Sequence, residues 1–257
     1  MAEPSHQNLR QHLVDSRIAG QVDTSRENNL RNIGRMLDDA PEYWFGLHRT
    51  RDWTFDEVFD VMVRRCGIDA DPAHVEGVDT IDPDLTLAAL EKHRDRLALA
   101  ADRRERVILA TGHPTGLLVM HLQVAAALRR AGCDVLVVET DWSWPWDTDW
   151  GRGRPRHVRW LNGVAVLASG GELLHTHRPE PMSAILELAT PDLVVADHGW
   201  AGAAAEAGIE TLGYADCNDP ALFVAEDEGK PIVTVPLDDN VPPHLYDPLT
   251  AHLLAWA

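Results

Sequence analysis

The run Val107-Ile108-Leu109-Ala110, cut off by Thr111-Gly112-His113-Pro114-Thr115-Gly116, decides the fold of this chain. Four apolar residues bounded by turn formers read as a buried strand. Residues 117–130 then follow an alanine-rich amphipathic pattern. Ala131-Gly132 stops it, and Val135-Leu136-Val137-Val138 reads as a second strand. Strand, helix and strand in this order form a β-α-β unit, whose crossover makes the two strands parallel.

The alternation continues toward the C-terminus. Val164-Ala165-Val166-Leu167, followed by Ser169-Gly170-Gly171, predicts a hairpin with Leu173-Leu174. Helices are expected at 181–188, 202–207, 221–228 and 246–256, and strands at 193–196, 211–215 and 232–235. Toward the N-terminus the pattern changes near residue 104. Helices are expected at 7–19, at 23–37 with Asp23, Thr24 or Ser25 as N-cap, at 54–66 and at 82–101. Thr54 followed by Glu57 is a capping-box arrangement, and Asp82-Pro83 is a good helix start. The expectation is an α/β chain with a doubly wound, mostly parallel sheet: an all-helical region over 1–104 and a Rossmann-like metal-binding domain over 105–257.

Composition narrows the function. The 257 residues carry a formal net charge of −18, which argues against nucleic-acid partners. Hydrophobic residues are 45% and charged residues 25%, as in a folded soluble protein. No apolar run reaches the ~20 residues that span a bilayer. The start, Met1-Ala2-Glu3-Pro4-Ser5-His6, lacks the basic and apolar parts of a signal peptide. Cys66, Cys133 and Cys217 are scattered and suggest neither a metal pair nor a disulfide framework. A cytoplasmic protein with no membrane partner is expected.

In open parallel sheets ligands bind at the carboxyl ends of the strands. Here those ends carry Thr111-Gly112-His113, Glu139-Thr140-Asp141-Trp142, His175-Thr176-His177, Asp197-His198-Gly199-Trp200, Asp216-Cys217-Asn218-Asp219 and Asp238-Asp239-Asn240. The 111–116 loop leads into a helix and either cradles an anion on its backbone N–H groups or is a tight turn. Asp197 and Asp216 suggest a metal, since crowded carboxylates repel without a cation. His198 is a candidate third ligand, while Asp219 reads as the N-cap of the helix that begins at Pro220. His175 and His177 share a side in an extended segment and are either ligands or proton-transfer groups, or ordinary surface histidines. Asp238-Asp239-Asn240 reads as a polar turn. Trp142, Trp144, Trp146 and Trp150 form either a stacking surface for a heterocycle or an apolar lid. From residue 161 onward the only Lys or Arg residues are Arg178 and Lys230, few for a phosphate enzyme.

Four segments then carry a resemblance: Thr-Gly-His-Pro-Thr-Gly at 111–116, His-Thr-His-Arg-Pro-Glu-Pro-Met at 175–182, Val-Ala-Asp-His-Gly-Trp-Ala-Gly at 195–202 and Ala-Asp-Cys-Asn-Asp-Pro-Ala-Leu-Phe at 215–223. Together they resemble a group of actinobacterial proteins that carry the name phosphatase. The likeness covers nearly the whole chain, including Ser16-Arg17-Ile18-Ala19-Gly20 and Arg26-Glu27-Asn28-Asn29-Leu30. More remotely the layout is similar to the ARMT-like damage-control phosphatases. That likeness implies a helical region before an α/β domain, with a metal on an Asp-Asn pair after one strand and an Asp after the next. The matching positions are Asp197, His198 in place of Asn, and Asp216. Imidazole in place of an amide favours a transition metal over magnesium. The scaffold is also similar to the non-haem iron enzyme that forms the oxazine ring of the C-nucleoside antibiotic oxazinomycin.

The reading that follows is a mononuclear Fe(II) enzyme that uses dioxygen on a ribosylated heterocycle. Asp197, His198 and Asp216 hold the metal. His113, His175, His177 and Asn218 act in catalysis. Gly112, Gly116, Trp142, Trp144, Trp200, Arg26 and Asn29 bind a nucleoside-like substrate. The alternative is a phosphomonoesterase using Mg, Mn, Co or Ni on a phosphorylated small molecule. A metabolite-binding protein without turnover is a third reading, disfavoured by so many ionisable groups in one cleft.

Overall fold

A computed structural model describes residues 6–144 and 155–257. The central parallel strands are β3 (Arg106–Thr111), β9 (Leu193–Asp197), β10 (Thr211–Ala215) and β11 (Ile232–Pro236). β7 (Val164–Ser169) joins the other edge of β3 in parallel, and β6 (Arg156–Leu161) and β5 (Ser143–Trp144) extend the sheet antiparallel. The sheet order is β11-β10-β9-β3-β7-β6-β5, with β4 (Asp134–Val135) on β3 and β8 (Glu172–Leu174) on β7. β7, β9 and β10 are buried at every residue. That explains why they read as continuous apolar runs and not as alternating ones.

The expected strand at 135–138 is shortened to two residues. β4 pairs with Arg106 and Val107, but Leu109, Ala110 and Thr111 are paired with β7, so the chain must leave that edge. The same sharing occurs on β7. Residues Val164, Ala165 and Val166 pair with β3, and Leu167, Ala168 and Ser169 pair with β8. Because β6 covers the other edge of β7, β8 lies end to end with β3. The hairpin between β7 and β8 follows expectation. The one between β6 and β7 does not: it turns on Asn162 and Gly163, both at positive φ, as a two-residue turn of primed type requires.

The crossing helices are α6 (Leu118–Ala131), α7 (Glu180–Leu186), α8 (His198–Glu206) and α9 (Pro220–Asp227). The N-terminal part supplies α1 (His6–Asp15), α2 (Arg26–Leu37), α3 (Pro41–Trp44), α4 (Phe55–Arg65) and α5 (Pro83–Arg103). The last helix is α10 (Asp247–Leu253), entered through a 3₁₀ turn at Pro243–Tyr246. In α4 the Thr54 hydroxyl accepts from Glu57 N–H, and the Glu57 carboxylate accepts from Thr54 N–H.

The all-helical expectation for the N-terminal part is corrected. β1 (Gly20–Ser25) and β2 (Val78–Ile81) form an antiparallel two-stranded ribbon. The helix expected from Asp23 therefore starts at Arg26, with Ser25 as its N-cap. Its first residues are held in the ribbon, where tertiary pairing overrides a capping signal. α5 packs on β11 and α4 on α9, so this part wraps around the β11 edge of the sheet. A single apolar core takes Leu9, Val58 and Met62 from it and Ile108, Val195 and Leu222 from the sheet layer. Burying each of these large side chains contributes about 1.5–3 kcal/mol.

Candidate functional site

Two glycines in the loop after β3 set the spacing of the site. A Cβ on Gly112 would lie 2.4 Å from the Thr176 carbonyl oxygen, and one on Gly116 would lie 1.9 Å from that of Asp239. Only glycine permits these approaches. Thr176 N–H donates to the Gly112 carbonyl at 2.9 Å, which ties the segment after β8 to the end of β3. The loop is thus filled by protein on both flanks, with His113 held between β8 and the loop after β11.

The segment after β8 brings His175 and His177 to this point. Ring centroids lie 4.5 Å apart for His113–His175, 5.0 Å for His175–His177, 4.7 Å for His177–His198 and 5.1 Å for His175–His198. Phe45 packs edge-on against His177 and His198, and Tyr43 against His177. His175 is exposed and His113 and His198 are buried. Although its edge is open to solvent, crowding among the walls of the site strips water from the His175 ring and, with three neighbouring imidazoles, lowers it to about 4; burial and His198 lower His177. Burial also works against charge on His113 and His198, but carboxylates outweigh it: Asp239 raises His113, and Asp197, Asp219 and Asp239 raise His198.

His198 begins α8 with φ +48°, a left-handed conformation unusual for a residue with a side chain. Asp197, before it, makes no side-chain cap. Its Oδ1 instead accepts from Gly112 N–H at 2.6 Å and from His198 Nδ1 at 2.7 Å. Burial opposes the charge, yet the bond and charge of His198 hold Asp197 down at about 2. A carboxylate bonded to Nδ1 leaves Nε2 to face outward. Nε2 lies 3.3 Å from Asp219 Oδ2 and 3.4 Å from Asp239 Oδ2. Asp219 occupies the N-cap position of α9, where an ordinary cap was expected, but it makes no cap bond. Its carboxylate turns to the histidines.

The other side is acidic. Asp216, Asp238 and Asp239 are all buried. Asp216 accepts from the Thr24 hydroxyl and from Cys217 N–H, each at 2.6 Å. Burial, then Asp239 and Asp238, push its carboxyl well above the usual range. Burial and Asp239 raise Asp238 as well. Among the described residues, no Lys or Arg forms an ion pair with any of these three: Arg178 pairs with Glu180 and Lys230 with Glu206. Metal-ligating atoms within 4.8 Å of one another fall into three groups, His113/His175/His198, His177/His198/Asp219 and Asp216/Asp238/Asp239.

Of the residues singled out from the sequence, His113, His175, His177, His198 and Asp216 meet in this cup, and Asp197 stands behind His198. Asn218 borders it, its carbonyl accepting from the Asn32 side chain. Arg26 and Asn29 are buried and both donate to Asp79; Asn29 also meets the Cys217 thiol, directly behind Asp216. Trp200 is fully buried in the core. Trp142 is half-buried, and Trp144 stacks under the Arg178 guanidinium at 3.6 Å. Trp146 and Trp150 lie outside the described residues. Asp219, Asp238 and Asp239 were read as a cap and a turn. Their position after β10 and β11 was the signal that marks them as part of the cup.

The comparisons with known proteins bear on this geometry. The profile of the family described as Phosphatase matches residues 4–257. The chain belongs to the Phosphatase family. A relative, Phosphatase SCO2771 of Streptomyces coelicolor, is 49% identical over 262 residues, covering 99% of this chain and 97% of that protein. Membership in the Phosphatase family implies an enzyme acting on a small phosphorylated substrate. It gives no support to iron, dioxygen or C-nucleoside chemistry, so the hydrolytic alternative fits better. Among the described residues no helix is long and apolar enough to cross a membrane.

Proposed function

We propose that this chain is a metal-dependent phosphomonoesterase acting on a small phosphorylated metabolite. The observation that carries the reading is the buried Asp216/Asp238/Asp239 triad, facing an imidazole cluster and, among the described residues, lacking a Lys or Arg partner. Three carboxylates this close repel one another unless a cation or shared protons are held among them. The triad passes a further test of fit: Asp239 Oδ2 is buried without a hydrogen-bond donor. Oxygen donors beside imidazoles suit Mn, Co or Ni, and the carboxylates alone suit Mg.

When bound, a divalent cation supplies Lewis-acid stabilisation of the phosphoryl oxygens and a water of lowered pKa. That replaces the cationic clamps scarce in this half of the chain. The protein's own part is positional. Thr24 and Cys217 N–H fix Asp216, and Asp197 fixes His198. Phe45 and Tyr43 shield His177 from water. His175 is the exposed imidazole, placed to exchange protons with a substrate. A cavity of about 240 Å³ opens on the acidic side, lined in part by Ser16, Arg17, Thr24, Asp238 and Asn240. Arg17, paired with Asp23, is the cationic group at its rim.

The test is hydrolysis of p-nitrophenyl phosphate by the full chain before and after chelation. Chelation should reduce the rate by about a hundredfold or more, the equivalent of several kcal/mol, and Mn, Co, Ni or Mg should restore it. Hydrolysis indifferent to chelation, or oxygen uptake with Fe(II) and no phosphate release, would overturn the reading.

A further inference from the structure

The geometry points to two cation positions in this cup, one oxygen-rich and one imidazole-rich, bridged by Asp239. The inference rests on the metal-dependent reading above and deepens it. Its first support is the donor count. The three groups together contain eight residues, more than the four to six ligands that one transition-metal or magnesium ion takes. The second support is how the groups divide. The two imidazole groups share His198, and neither shares a residue with the Asp216/Asp238/Asp239 triad.

Asp239 links the two sides. Its Oδ1 lies 3.0 Å from His113 Nδ1 and its Oδ2 lies 3.4 Å from His198 Nε2. Yet neither His113 Nδ1 nor Asp239 Oδ2 makes a hydrogen bond, and both residues are more than nine-tenths buried. One polar atom in each of the two contacts of the Asp239 carboxylate thus makes no hydrogen bond, and buried polar groups are seldom left so. A cation on each side of the Asp239 carboxylate satisfies both. Carboxylate-bridged pairs in hydrolytic two-metal sites stand about 3.5–4 Å apart, able to contact both the attacking and the leaving oxygen.

The experiment loads the metal-free full chain with Mn(II), then reads metal content by mass spectrometry and coupling by electron paramagnetic resonance. About two ions per chain are expected, with the isolated-ion spectrum suppressed by exchange between them. Asp238→Asn touches only the oxygen side and His175→Gln only the imidazole side. Each should retain about one ion per chain, with the uncoupled spectrum restored. Circular dichroism confirms that both variants fold. One ion in the wild type, or loss of the same single ion in both variants, overturns the two-cation proposal and leaves the metal-dependent reading standing. No bound Mn(II), with hydrolysis indifferent to chelation, overturns both.

Discussion

Asp79 and Asp216 are both buried acids, and they are surrounded in opposite ways. Asp79 accepts from Arg26 at 2.9 Å, from the Asn29 amide at 2.8 Å, and from the backbone N–H groups of Asp69 and Thr80, each at 2.8 Å. Its partner Arg26 also donates to the carbonyls of His74 and Asp71 and lies over the Phe59 ring. Asp216 has two donors and two facing carboxylates. Burial alone does not mark a functional acid. Asp79 is saturated from within the fold and holds the N-terminal part together, whereas Asp216 faces acids and, among the described residues, has no Lys or Arg partner.

The largest expected effect breaks the saturated pair. Arg26→Ala leaves Asp79 buried and uncompensated, which should cost about 3–5 kcal/mol in urea unfolding. Asp216→Asn should act in the opposite direction on the chelated chain, raising its melting temperature by relieving the crowding of the triad, while the oxygen-side Mn(II) is lost and the imidazole-side one is kept. Destabilisation by both substitutions would erase the contrast.

A second test uses a buried imidazole outside the cup. His93 donates to the Val233 carbonyl at 2.9 Å, and burial lowers it to about 4. Its folded pKa lies below the ordinary 6.5, so below pH 6.5 the unfolded chain takes up a proton that the native chain refuses. Its contribution to stability therefore falls as pH drops from 6.5 to 4 and levels off below, a loss of about 3 kcal/mol in all. Unfolding free energies at pH 7 and pH 4 should differ less for His93→Gln by that amount. Parallel pH curves would show that His93 is not the source.

The smallest effect concerns how the cup is held. Asp197→Asn keeps an acceptor for Gly112 N–H and His198 Nδ1 but removes the charge. Mn(II) affinity should fall about 10- to 100-fold with the fold retained. An unchanged affinity would mean that Asp197 does not position His198.

The sheet was legible because its strands are apolar on both faces and end at glycine or acid residues, as at Thr111-Gly112 and Asp197-His198. The rule that ligands gather at strand ends led to most of the cup. The ribbon β1–β2 was hidden because Gln21-Val22-Asp23-Thr24 contains no apolar run and resembles a helix start. Arg26 and Trp200 misled for a shared reason: a charged or aromatic side chain gives no sign in sequence of whether it faces solvent or core. Asp219 and Asp239 were obscured by a plausible local role, which only the distances to His198 displace.

The hydroxyl of Tyr246 donates to the Asp238 carbonyl at 2.7 Å and accepts from Val241 N–H at 3.3 Å. The acidic loop after β11 thus hangs from a residue near the end of the chain. During synthesis His113, His175, His177 and His198 emerge before Tyr246, so the loop after β11 gains this tie only when the turn at Pro243–Tyr246 is made. A chain cut short before Tyr246 would keep the Thr24 bond to Asp216 but lose the one that holds the Asp238 carbonyl.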